Sequence, residues 1–163
     1  MGYSDHRTEQ ILVAILDILV AQNVAGGAGN IFINRKIATD SNELPMVTIN
    51  QCSEELENLL PVYNDVALDV FIDVAAKGKQ STLIPGGDPE FVTSALNDLR
   101  EEVSKALFLD ERLGLGETFV KDFDELGSDV PEISEEGDPS TGSIRMNFEV
   151  KYRRLRKDPA AAL

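Results

Sequence analysis

The sequence predicts an α+β domain, an antiparallel-rich mixed sheet with two main helices packed on one face, in the order α-β-β-β-α-β-β. Three observations lead there. Val62, Val66, Leu68, Val70, Ile72 and Val74 place apolar side chains at nearly every second position, which is the pattern of one buried face of a long strand. A second alternating run, Ile144-Met146-Phe148-Val150-Tyr152, carries Arg145, Lys151 and Arg153 between its apolar members. Two further stretches repeat their apolar residues at close to 3.6 residues instead, the spacing of amphipathic helices.

The first helix is expected over about 5–22. Ser4 and Asp5 stand at its start as caps, and Ile11, Leu12, Ile15, Leu16 and Leu19 form its stripe. Val24 to Gly29 ends it. A Gly-rich segment that follows a helix, with no Lys-Ser/Thr behind it, is a turn and not a phosphate loop. Short strands are expected at 30–37 and 45–51, separated by a polar loop, and Glu54 to Leu60 reads as a helical turn or a bulged edge. The long strand then runs from Val62 to Ala75. Lys77 to Pro89 is a Gly/Pro-rich loop of the length that is usually functional or becomes ordered by a partner. The second helix begins at Asp88 or Pro89 and buries Val92, Ala95, Leu96, Leu99, Val103 and Leu107. A turn over 109–116 leads to a strand at Glu117–Phe123, an acidic loop at Asp124–Gly142, and the final strand Ser143–Arg153. Residues 1–156 are expected to form a single domain and 157–163 a flexible tail.

At 163 residues and 42% apolar composition the chain is long enough to bury a real core. Ile11 to Ala21 is its longest apolar run, interrupted by Asp17 and shorter than the roughly 18 residues of a membrane span. Asp5 and Glu9 stand where a signal peptide carries basic residues, so the chain is expected to remain in the cytosol where it is made. The net charge of −14 opposes groove binding to DNA, which needs Lys and Arg against phosphates. The charge is uneven: six basic and two acidic residues from Ser143 onward give +4, leaving −18 on the first 142 residues. That asymmetry suits contact between copies or with a different partner; it equally suits a highly soluble surface.

Catalytic and metal chemistry find little support. Asp65, Asp69 and Asp73 lie four residues apart, about 13 Å on a strand. Calcium and magnesium hold their ligands at about 2.0–2.6 Å, so these three form an acidic stripe and not a chelate. Asp122-Phe-Asp124-Glu-Leu-Gly127 opens like an EF-hand loop, but Leu126 and Ile133 occupy ligand positions. Cys52 is the sole cysteine and is expected to be an inert residue at the core or a strand end, with the acidic Glu54 and Glu55 nearby in place of the base or cation a reactive thiol needs. His6 is the sole histidine, and it assembles no Ser/His/Asp or Cys/His set. No enzyme activity and no cofactor are expected.

The layout resembles the tail terminator proteins of long-tailed bacteriophages and the related tail-completion and neck proteins. Four segments carry the resemblance: the opening helix Arg7-Thr-Glu-Gln-Ile-Leu-Val-Ala-Ile-Leu-Asp-Ile-Leu, the strand Leu44-Pro45-Met46-Val47-Thr48-Ile49, the strand Leu68-Asp-Val-Phe-Ile-Asp-Val74, and the closing strand Ile144-Arg-Met-Asn-Phe-Glu-Val-Lys-Tyr152 with basic residues after it. It covers about residues 5–155; the segments 77–89 and 124–142 match no family pattern. The resemblance implies a virion protein whose copies form a ring, commonly a hexamer, on the head-proximal end of the tail. Such a ring stops tube polymerisation and meets the tail tube protein, a head-completion or neck protein and, in contractile tails, the sheath. Double-stranded DNA would pass through without specific binding, and no membrane is involved. Asp65, Asp69 and Asp73, with Asp124, Asp129 and Asp138 of the acidic loop, are candidates for a lumen lining that repels phosphates or for an interface. Arg145, Lys151, Arg153, Arg154, Arg156 and Lys157 are the candidate basic patch toward a neighbouring copy or partner. Two other readings stand beside this one: a twelve-fold neck connector, and a monomeric cytosolic binding module with a small-molecule site between helix and sheet.

Overall fold

The computed structural model describes residues 6–36, 43–78, 89–134 and 140–156. Its elements are α1 (Arg7–Ala21), two single 3₁₀ turns, β1 (Ile31–Ile33), β2 (Met46–Leu59), β3 (Tyr63–Lys77), α2 (Pro89–Leu107), β4 (Val120–Ser128), β5 (Glu132–Ser134) and β6 (Thr141–Leu155). The fold is α+β. The sheet runs β1-β2-β3-β6-β4, with β5 paired to the start of β6. Only β1–β2 is parallel, and every other pairing is antiparallel.

Both alternating runs become the centre of this sheet. Asp65 pairs with Arg153 and Asp73 with Arg145 in an unbroken register from Tyr63–Leu155 to Lys77–Thr141. Val66, Leu68, Val70, Ile72 and Val74 are fully buried, as are Ile144, Met146, Phe148, Val150 and Tyr152. Against them pack Ile11, Leu12, Ile15 and Leu19 of α1 and Val92, Leu96, Leu99, Val103 and Leu107 of α2. The helical stripes thus cover the same sheet face that the strands turn inward. At Gly142 the helix and sheet leave no room for a side chain. A Cβ there would lie 2.8 Å from Val92 Cγ1 and 3.2 Å from the Glu132 carbonyl oxygen.

Several boundaries differ from expectation. The N-cap of α1 is His6, whose side chain makes no capping hydrogen bond, and Ser4 and Asp5 lie outside the described residues. Strand β1 is only three residues long and stops at Asn34, whose φ of 54° is left-handed. Val62 is not part of the buried row. It lies in the turn between β2 and β3, 62% exposed, with the Leu60 N–H donating to the Tyr63 carbonyl at 3.0 Å. The segment Glu54–Leu60 is the bulged edge and not a helical turn: β2 continues to Leu59, with register shifts at Gln51/Glu54 and Leu56/Asn58. Strand β4 starts later and ends later than predicted, so Asp124 to Ser128 are strand and not loop, and Glu132 to Ser134 form β5. A register shift between Glu125 and Gly127 breaks the alternation that would have marked this strand. The loop expected at 77–89 and the tail at 157–163 fall largely or wholly outside the described residues.

The open sheet face as a candidate interface

The face of the sheet turned away from the helices carries a repeated arrangement. On β3, Tyr63-Asn-Asp65 and Phe71-Ile-Asp73 each present an aromatic ring and a carboxylate two residues apart, on the same side of the strand. On β6, one arginine stands opposite each carboxylate. Arg153 donates to Asp65 through Nε at 2.7 Å and a terminal nitrogen at 3.3 Å, and its guanidinium lies 3.8 Å from the centre of the Tyr63 ring. Arg145 donates to Asp73 at 2.7 and 3.0 Å and lies 4.9 Å from the centre of the Phe71 ring. Each arginine is held in a fork by a carboxylate and stacked on a ring, the geometry in which its planar group is best used. The hydrogen bond from Arg153 is the main reason the Asp65 carboxyl is held below its ordinary value. The hydrogen bonds to Asp65 and Asp73 likewise hold Arg153 and Arg145 above theirs.

Between the two clamps the charge pattern reverses. Asp69 faces Glu149 across β3–β6, and Glu149 faces Asp124 across β6–β4, which sets three carboxylates in a row. Asp69 accepts from the Ser53 hydroxyl at 2.7 Å, and Lys151 reaches Glu149 at 3.6 Å and Glu57 at 3.1 Å. The ion pairs among the described residues include neither Asp69 nor Asp124. Like charges directly opposite one another disfavour pairing, so this row is sustained by the ladder around it and faces solvent as a negative band.

The acidic stripe and the basic patch are therefore not two separate surfaces. Asp65 and Asp73 are matched within the chain by Arg153 and Arg145, and Lys151 by Glu57 and Glu149. Arg154 points to the opposite face of the sheet, 3.6 Å from Glu54. Arg156 lies beyond the strand and is exposed. Asp129 sits beside Arg145, its N–H donating to the Arg145 carbonyl at 2.8 Å and its carboxylate accepting from Asn147 at 3.2 Å. Asp138 and Lys157 lie outside the described residues. Cys52 is exposed within β2, at the Gln51/Glu54 register shift, and so lies neither in the core nor at a strand end.

Sequence reasoning missed a polar cluster on the helix-covered face. Arg7 and Thr8 are buried, and the Glu54 carboxylate accepts from Thr8 and, at 2.9 Å, from the Tyr152 hydroxyl. The Arg7 guanidinium lies 4.1 Å from the centre of the Phe119 ring, and burial lowers its pKa. Burial also pushes the Tyr152 phenol up. The signal was present: Arg7 and Thr8 precede Ile11 and Leu12 by four residues and so continue the buried stripe of α1. A separate cleft of about 990 Å³ opens between α2 and the sheet, walled by Asn23, Pro45, Lys77, Asp98 and Glu102 among others. Among the described residues no group of three or more His, Cys, Asp or Glu could hold a metal ion, and no helix is long and apolar enough to cross a membrane. No protein-family model matches the chain, and a search of curated proteins returns no match.

Proposed function

We propose that this protein is a phage tail terminator: a virion component whose copies form a ring, six-fold in the first instance, on the head-proximal end of the tail tube. The observation that carries the reading is spatial. Three of the segments that carry the resemblance, Leu44–Ile49, Leu68–Val74 and Ile144–Tyr152, lie side by side along β2, β3 and β6, with the fourth, α1, packed on them. That segments far apart in sequence pack as neighbours supports reading them as one unit and not as unrelated patterns. In such a ring the band Asp69–Glu149–Asp124 is the natural lining for passing DNA, because like charge repels phosphate, within about 8 Å at physiological salt. Asp65 and Asp73 contribute little to that lining, being neutralised in place.

The twelve-fold connector reading shares all of this, and ring symmetry separates the two. Light scattering of the full chain across concentration, with imaging of the large species, is expected to give six-fold rings; twelve-fold rings would transfer the assignment to the connector. The cleft beside α2 favours the binding-module reading instead, and a monomer that takes up a small molecule there would displace both ring assignments.

A further inference from the structure

Building on the ring reading, we infer that the contact between neighbouring copies joins the β2–β3 hairpin tip of one copy to the α2–β4 corner of the next. Two apolar exposures sit on either side of the β3–β6 centre of the sheet. At the tip, Leu59 is 65% and Val62 62% exposed. At the corner, Leu109 just beyond α2 is 68% and Leu126 on β4 60% exposed. The corner is a fixed part of the fold: Ser104 of α2 donates to Glu125 of β4 at 2.9 Å, and the Phe108 ring, just after α2, stacks on Phe123 at 5.1 Å.

Charge selects the occupant. The backbone N–H of Arg156 donates to the Val62 carbonyl at 2.9 Å, so the chain carries an exposed arginine beside the apolar tip. The corner is acidic, with Asp110 and Glu111 both exposed. The complement of each surface is therefore carried by the other, on the same chain. A contact between two different patches is heterologous, and repeated around an axis it closes into a ring. The two sheet edges themselves do not join, because Glu54, Glu55 and Glu57 of β2 would meet Asp122, Asp124 and Glu125 of β4. The two bulges of β2 further interrupt its free edge.

Cross-linking between two single-cysteine variants tests the contact. In a Cys52→Ser background, Leu59→Cys and Leu109→Cys proteins are mixed at a concentration where copies associate and treated with a short bis-maleimide. A mixed 59–109 product, with neither variant cross-linking to itself, is the expected result. Adding Arg156→Glu should lower its yield by roughly two- to fivefold, the range of an exposed ion pair, and Glu111→Arg should restore it. Absence of the mixed product, or 59–59 or 109–109 products in its place, would overturn the contact. Rings that form without the mixed product would overturn this contact and leave the terminator reading standing. A mixed product in a ring that does not engage tail tubes would do the reverse.

Discussion

Asp65 and Arg153 show how residue chemistry decides what this sheet face can do. In the sequence they read as members of opposed acidic and basic sets, 88 positions apart. Knowing which strands are neighbours turns them into one bidentate pair, and that adjacency is a tertiary fact no local pattern encodes. Because Arg153 holds the Asp65 carboxyl below its ordinary value of 3.8, the pair stabilises the fold fully above that value. The contribution is lost as pH falls through the lowered folded-state pKa. Thermal unfolding of the wild type should therefore drop on acidification below about pH 4 more steeply than that of Arg153→Gln; parallel curves would show that the pair is not coupled to stability. At neutral pH, Asp65→Asn should cost about 1–2 kcal/mol, since Arg153 remains partly solvated and screened. Chemical denaturation checks that figure.

At the scale of elements, legibility followed burial. The strands of the resemblance and both helices were readable because one face of each is fully buried, so periodicity was imposed on it. Val62 misled because it continues the alternation past the end of the strand into a turn. The distal half of β2 was obscure because Gln51 to Leu59 is exposed throughout, leaving no inward face to mark it. Strand β4 was blurred by its two register shifts and by carboxylates that read as loop. The interlock of α2 with β6 at Gly142 was invisible in sequence, since nothing local distinguishes that glycine from one in a turn. Gly142→Ala forces its methyl against Val92 and the Glu132 carbonyl and should destabilise by about 1–3 kcal/mol. A Gly142→Ala, Val92→Ala double variant should recover part of that loss. If the single substitution is neutral in urea unfolding, the helix and strand are not packed as tightly as the geometry states.

For the whole molecule, the net charge of −14 is not spread evenly over the surface. Much of the basic C-terminal strand is consumed within the chain, and Arg156 remains as an exposed cation beside an apolar tip. The remaining carboxylates form a band on one face and flank the corner at the far edge of the sheet. On the proposed contact, one end of a monomer with this distribution meets the other end of its neighbour, as assembly into a closed ring requires. The candidate site was legible in part. Its arginines and aspartates were named from the sequence, but Glu149 and the rings of Tyr63 and Phe71 were not, and the division into internal clamps and solvent-facing band needed the register of β3 against β6 and of β6 against β4.

The most direct test of the ring on the tail end is tube growth. The tail tube protein that the proposal pairs with this chain is allowed to polymerise with and without the purified full-length chain, and tube lengths are measured by electron microscopy. The account predicts tubes that stop elongating and carry a ring on one end only. Tubes that lengthen unchecked, with both ends bare at saturating protein, would contradict it.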